Sequence, residues 1–145
     1  MFFFDYIKHR IELKRIEKQI AELDNTGLVQ RESYRATRAF VIDEACLSYF
    51  IELNDKRVLF LSGQYLFYYE MCFPCAEFEI WRHRLEKHVL KIICNGTVIE
   101  LETNIPPFTT EEYNQNRVPQ DGDIIANRSY DELKAERLNS VAKRD

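Results

Sequence analysis

Near the start of the chain, apolar residues recur every three or four positions, at Leu13, Ile16, Ile20 and Leu23. This spacing places them on one stripe of an amphipathic helix. Asp5 is a suitable N-cap, and the polar and glycine residues of segment 24–27 are typical of a helix end. We therefore expect residues 1–27 to form an amphipathic helical unit.

Between residues 28 and 102 the period of the pattern changes to two, which predicts β-strands. The first predicted strand has a single apolar face formed by Tyr34, Ala36, Phe40 and Ile42. The second has a face formed by Leu47, Tyr49, Ile51 and Leu53. The apolar run 58–69 predicts a long central strand, bent or bulged at Gly63, where the lack of a side chain permits a change of direction.

Two further strands are predicted around the dipeptide Asn95-Gly96. Residues 76–83 alternate between apolar and polar side chains, as a half-buried strand does. Asn-Gly favours the positive φ angles of a type I′ turn, so it predicts a hairpin that pairs Cys94 with Thr97 and Leu90 with Leu101.

The remaining residues indicate short helices. Thr109 with Glu112, and Ser129 with Glu132, have the spacing of capping boxes. The predicted fold is mainly β (α+β): a bent antiparallel sheet or small open barrel of about six strands, with an N-terminal amphipathic helix and a short C-terminal helix. The expected units are residues 1–27, a β domain at 28–128, and a helix with a tail at 129–145.

Composition restricts the function further. The chain has 145 residues, of which 46% are hydrophobic, so it is too apolar for a disordered protein. Its net charge of −4 is distributed without a polycationic segment, which argues against a nucleic-acid partner. Four cysteines occur without a recognisable signal peptide, and we expect a reducing, cytoplasmic environment.

Cys72 and Cys75 form a C-x-x-C pair, the one spacing in this sequence with a known chemical use. Such a pair can provide half of a zinc site or a redox-active dithiol. Zinc requires further ligands, and a redox pair usually precedes a helix, whereas Cys75 precedes a predicted strand. We interpret the two residues as buried, inert cysteines. We expect no catalytic residue and no cofactor, and keep a small zinc or thiol-redox protein as the alternative.

The N-terminal helix is the predicted interaction element. Leu13, Ile16, Ile20 and Leu23 are its candidate contact residues for a protein partner or for self-association. The preceding segment Phe2–Phe4 is too short to cross a bilayer, but basic residues follow it, as they do on the cytosolic side of membrane segments. Three interpretations stay open: a longer chain upstream, attachment at a membrane surface, or a hydrophobic staple to the domain.

Two motifs resemble those of an uncharacterised bacterial family of soluble β domains that often follow predicted membrane segments. They are LSGQYL at residues 61–66 and PxDGD at residues 119–123. The similarity covers residues 26–128. It implies no activity and no catalytic residue, but it favours a position at the cytosolic face of a membrane.

Overall fold

The structure, a computed structural model, describes the backbone of residues 2–142 and the side chains of residues 8 and 10–140. Helix α1 (Phe2–Asn25) ends in a turn in which Gly27 has a φ of +77°. The Leu28 N–H donates to the Leu23 carbonyl at 2.9 Å, and the Gly27 N–H donates to the Asp24 carbonyl at 3.1 Å. This is a Schellman motif, in which glycine tolerates the left-handed backbone. The continuous N-terminal helix predicted from the sequence is confirmed.

The strands after α1 form one mainly antiparallel, seven-stranded sheet. They are β1 (Val29–Asp43), β2 (Leu47–Leu53), β3 (Val58–Gly63), β4 (Glu77–His83), β5 (Val89–Cys94), β6 (Leu101–Glu102) and β7 (Ile124–Ile125). A 3-10 helix (Gln64–Tyr69) follows β3, α2 (Thr110–Asn114) lies between β6 and β7, and α3 (Tyr130–Ala142) follows β7. The strand order is β5-β4-β1-β2-β3-β7, and β6 pairs in parallel with β1. The sheet does not close into a barrel.

Strand β1 connects two halves of this sheet. Its first part pairs with β4 from Val29 to Arg35, and its second part pairs with β2 from Ala36 to Asp43. The register shifts between Ala36 and Arg38. Buried residues from both halves then pack together in one cluster, the inner core: Ala39, Val41, Leu47, Tyr49, Ile51, Leu53, Leu59, Leu61, Leu66, Phe73, Cys75, Phe78, Ile80 and Ile92. The predicted class, a bent antiparallel sheet flanked by helices, is confirmed.

A second cluster, the outer core, lies on the opposite face of β1, β2 and β3. Its buried residues are Phe40, Ile42, Phe50, Val58, Phe60, Ile105, Tyr130 and Leu133. The Phe40 ring stacks on Phe50 at a centroid distance of 4.6 Å and contacts Tyr130 at 5.2 Å. Since Tyr130 and Leu133 belong to α3, this cluster attaches the C-terminal helix to the sheet.

The prediction that the first strand has a single apolar face is wrong. Tyr34 and Ala36 pack on the inner core, but Phe40 and Ile42 lie in the outer core. The reason is the bulge between Ala36 and Arg38, because one extra residue reverses the alternation of side chains. In β2 the alternation is uninterrupted, and all four residues predicted to share a face lie in the inner core.

The predicted long strand at 58–69 is also wrong in its second half. Strand β3 ends at Gly63, and the 3-10 helix begins at Gln64. Gly63 has φ 154° and ψ 164°, a conformation that is essentially restricted to glycine. The chain therefore leaves the sheet there, and Leu66 enters the inner core from the helical turn.

Asn95-Gly96 does not form the predicted hairpin, and neither residue has a positive φ. The segment after β5 continues alongside the residues that precede β4. The Asn95 N–H donates to the Glu77 carbonyl at 2.9 Å, and Val98 forms an antiparallel bridge with Cys75. Leu101 pairs with Ala39 of β1 rather than with Leu90. Tertiary pairing has overridden the local turn preference.

Charged groups complete the attachment of α3. The Arg38 guanidinium donates to Glu52 of β2 at 3.1 Å and to Asp131 of α3 at 2.9 Å, and it lies over the Tyr130 ring. The Tyr130 hydroxyl donates to Glu102, which also accepts from Lys134 at 2.9 Å. These bonds and the outer core fix the start of α3 to the sheet.

We expect Tyr130→Ala to lower the free energy of unfolding by about 3–5 kcal/mol, the usual cost of removing a buried aromatic side chain. Tyr130 is 0% exposed. Leu138→Ala is the matched control on the same helix, because Leu138 is 48% exposed, and we expect a change within about 0.5 kcal/mol. Urea unfolding measures both, and equal losses would contradict the assigned packing.

Glu52→Gln tests the charged network through its pH dependence. The bonds from Arg38 and Thr37 lower the pKa of Glu52, whose side chain is only 7% exposed. A lowered carboxyl pKa stabilises the folded state above the unfolded pKa, and this stabilisation disappears as the pH falls through the folded pKa. We expect the variant to be less stable by about 1–3 kcal/mol at pH 7. The difference should shrink below about pH 4 in urea titrations, whereas a constant difference would exclude an ionic role.

Candidate functional site

The predicted contact residues on α1 differ in their exposure. Ile20 is buried, Leu13 and Leu23 are half-buried, and Ile16 is 45% exposed. Ile11, outside the predicted stripe, is 54% exposed. The helix is therefore covered mainly near its C-terminal end, and the exposed Ile16 and Ile11 lie about two and a half and four turns before that end.

The end of α1 is fixed to the sheet by several bonds. Asp24 forms an ion pair with Arg31 of β1 at 2.8 Å. Arg84 donates to the carbonyls of Gly27 and Val29 on the other side of the turn.

The side of α1 opposite the apolar stripe is basic. With a rotation of about 100° per residue, this side carries the exposed residues Lys8, Lys14, Arg15 and Lys18, with Ile11 among them and Glu22 near its end. The whole chain has a net charge of −4. This helix surface therefore has the opposite sign to the protein as a whole.

The side chains of Phe2–Phe4 lie outside the described residues, so the three interpretations of this segment stay predictions. In the part of the chain that the structure describes, no helix combines the length and the apolar character needed to cross a membrane.

The thiols that lie together in the structure are not the Cys72 and Cys75 pair indicated by the C-x-x-C spacing. The Cys72 Sγ lies 2.9 Å from the Cys94 Sγ. Cys75 is buried, and its thiol donates to the Glu77 carbonyl at 3.1 Å. Among the described residues, no group of three or more histidine, cysteine or acidic side chains is arranged to hold a metal ion.

Cys94 was missed as a partner of Cys72 because the predicted hairpin placed it opposite Thr97. In the structure Cys94 ends β5 and lies opposite Phe78 of β4. Burial raises the pKa of the Cys94 thiol, and the contact with Cys72 adds to this effect. Cysteines 22 positions apart carry no spacing signal that would have identified them.

The two sequence motifs contact one another. The Asp121 carboxylate accepts from the Ser62 N–H at 2.9 Å and from the Tyr65 hydroxyl at 2.8 Å. Arg82, which pairs with Glu32 at 2.6 Å, donates to the Gly122 carbonyl. In the described chain, every fully buried side-chain nitrogen or oxygen has a hydrogen-bond partner. This arrangement fixes the turn at 119–123 against β3 and β4.

An open groove of about 1120 Å³ lies between α2 and α3. Five of its charged residues pair with one another: Glu136 with Arg117 at 2.8 Å and with Arg128, and Glu112 with Arg137. The predicted capping box of Thr109 and Glu112 is confirmed at the start of α2. Most of the charged residues of this groove are therefore held in ion pairs with one another.

The fold is a bent antiparallel sheet with helices on its outside. No family model, curated protein or solved structure matches this chain. Function must therefore be inferred from its own surfaces and side chains.

We expect Gly122→Ala to be more damaging than Gly27→Ala. Both glycines have positive φ, +90° and +77°, so alanine costs about 1–2 kcal/mol at either position. A Cβ on Gly122 would also lie 2.5 Å from the Arg82 guanidinium, whereas Gly27 faces open space. Loss of the Arg82 bond raises the expected cost to about 3–5 kcal/mol. Thermal and urea unfolding compare the variants, and equal costs would show that Arg82 adjusts freely.

Proposed function

We propose that this protein is a non-catalytic interaction module that binds another protein chain through α1. The observation that supports this proposal is that Ile16 is exposed and Leu13 only half-buried on a helix anchored mainly near its C-terminal end. A helix with little tertiary cover gains little stability from the rest of the domain. A partner that covers these residues would supply that cover.

The apolar stripe is the proposed contact surface for a helix of the partner. Ile16 is exposed and Leu13 half-exposed, while Ile20 and Leu23 continue the stripe toward the domain. Complete burial of an isoleucine or leucine stabilises by about 1.5–3 kcal/mol.

The basic side supports a position at the cytosolic face of a membrane. Lys14, Arg15 and Lys18 are exposed on the side opposite the stripe, and a basic residue near an anionic membrane surface contributes about 1 kcal/mol. The stripe would then remain available to the partner chain. The resemblance to a family of membrane-proximal domains agrees with this placement.

Site-specific photo-crosslinking in living bacteria tests the partner contact. We expect a crosslinker at Ile16 to trap a protein partner, and Leu13→Lys in the same chain to abolish the product. Tyr113 is the control position because it is 54% exposed on α2, which is joined to α3 through the Glu112–Arg137 pair. Equal crosslinking at both positions, or none at Ile16, would refute the proposal.

Vesicle sedimentation tests the membrane placement separately. The full chain should bind vesicles containing anionic lipid more strongly than neutral ones, and added salt should weaken this binding. Lys14→Glu with Lys18→Glu should remove the preference, whereas Lys56→Glu with Lys87→Glu, outside α1, should retain it. Salt-independent binding, or equal loss in both double variants, would exclude an electrostatic role of α1.

A small zinc or thiol-redox protein is the second candidate, favoured by the contact between Cys72 and Cys94. The raised pKa of Cys94 opposes rapid catalysis, because the thiolate is the reactive form. Elemental analysis and thiol titration distinguish the candidates. Stoichiometric zinc, or turnover of a disulfide substrate, would favour this second function over an interaction module.

A further inference from the structure

Cys72 and Cys94 belong to two different parts of the fold. Cys72 follows the 3-10 helix, and Cys94 ends β5. Their sulfur atoms lie 2.9 Å apart and both residues are half-buried. A disulfide bond measures about 2.05 Å, so closing the gap requires a movement of about 0.9 Å.

We propose that Cys72 and Cys94 form an oxidisable pair that hydrogen peroxide or a related hydroperoxide converts into an intramolecular disulfide. This inference is independent of the contact proposed for α1. It assigns a modification site to two residues whose spacing in the sequence gives no indication of it.

The reaction balances with peroxide as the two-electron oxidant. The Cys72 sulfur attacks one peroxide oxygen, the O–O bond breaks, and the products are a Cys72 sulfenic acid and water. The Cys94 sulfur then attacks the Cys72 sulfur and displaces the hydroxyl group, which leaves as water with the Cys94 proton. Two thiols and one hydrogen peroxide thus give one disulfide and two waters.

The order of attack follows from the burial of the Cys94 thiol. Burial raises the pKa of Cys94, so that thiol retains its proton and reacts slowly with free peroxide. Once Cys72 is oxidised, however, the Cys94 sulfur is already in contact with it. This proximity accelerates the attack of Cys94 on Cys72 despite the raised pKa of the Cys94 thiol.

The bond would reinforce an existing attachment. The Cys72 N–H donates to the Tyr69 carbonyl at 3.0 Å, and the Tyr69 hydroxyl accepts from the Ile92 N–H of β5 at 3.4 Å. The disulfide would fix the same segment to β5 covalently. That segment carries Tyr68 and Met71, which are 47% and 94% exposed.

Mass spectrometry of the purified full chain tests the proposal. The reduced protein is treated with a small excess of hydrogen peroxide, and remaining thiols are blocked with N-ethylmaleimide. We expect a monomer that is about 2 Da lighter before blocking, with two thiols protected, because a disulfide forms with loss of two hydrogens. Dithiothreitol should reverse the change. Oxidation of Met71 would instead add one oxygen and protect no thiol.

Single variants identify the bonded pair. Cys72→Ser and Cys94→Ser should each abolish the protected product. Cys46→Ser and Cys75→Ala should retain it, because Cys46 lies between β1 and β2 and Cys75 is 0% exposed with its thiol directed at Glu77. Persistence of a disulfide in Cys72→Ser, which would indicate a Cys75–Cys94 bond, refutes the assignment. Only sulfoxides, or only covalent dimers, from the wild-type chain refute it as well.

Thermal unfolding provides a second readout. A cross-link of this loop length should raise the Tm of the oxidised wild-type chain by roughly 5–10 °C, and reduction should reverse the shift. No shift, or a fall, despite complete disulfide formation would show that the bond distorts the fold, and would contradict the geometry proposed here.

Discussion

An extra residue in one strand determines the architecture of this protein. The bulge between Ala36 and Arg38 reverses the alternation of side chains in β1. The first part of the strand therefore faces the inner core through Tyr34, while Phe40 and Ile42 face the outer core beyond the bulge. Because a bulge also increases local twist and bend, the same feature accounts for the bent sheet and for the apolar surface to which α3 attaches.

Local sequence patterns correctly predicted the elements in which tertiary contacts favour the same conformation as the local sequence. The uninterrupted alternation of β2 identified its inner face, and the capping box at Thr109 identified the start of α2. The failures occur where distant contacts decide the conformation. Asn95-Gly96 has the sequence of a tight turn, but the segment after β5 instead pairs with the residues around the start of β4. The sequence gives no local signal for the bulge in β1 either, since no glycine or proline lies there.

The same distinction applies to the candidate sites. The helical period identified Leu13, Ile16, Ile20 and Leu23 as one stripe, but not that Ile20 alone among them is buried. The C-x-x-C spacing drew attention to Cys75, whereas the sulfur in contact with Cys72 belongs to Cys94. The sequence shows which reactive side chains are present. Which of them come into contact depends on the strand register, and here tertiary contacts set that register.

The edges of the sheet have a consequence for behaviour at high concentration. An unprotected edge strand offers its outward N–H and C=O groups to strands of other molecules, which is a route to aggregation. At β5 the Tyr69 hydroxyl already accepts from the Ile92 N–H, and at the other edge β7 is only two residues long. The 3-10 helix that interrupts the apolar run after Gly63 thus limits uncontrolled strand addition, a role that its sequence, rich in aromatic residues, would not suggest.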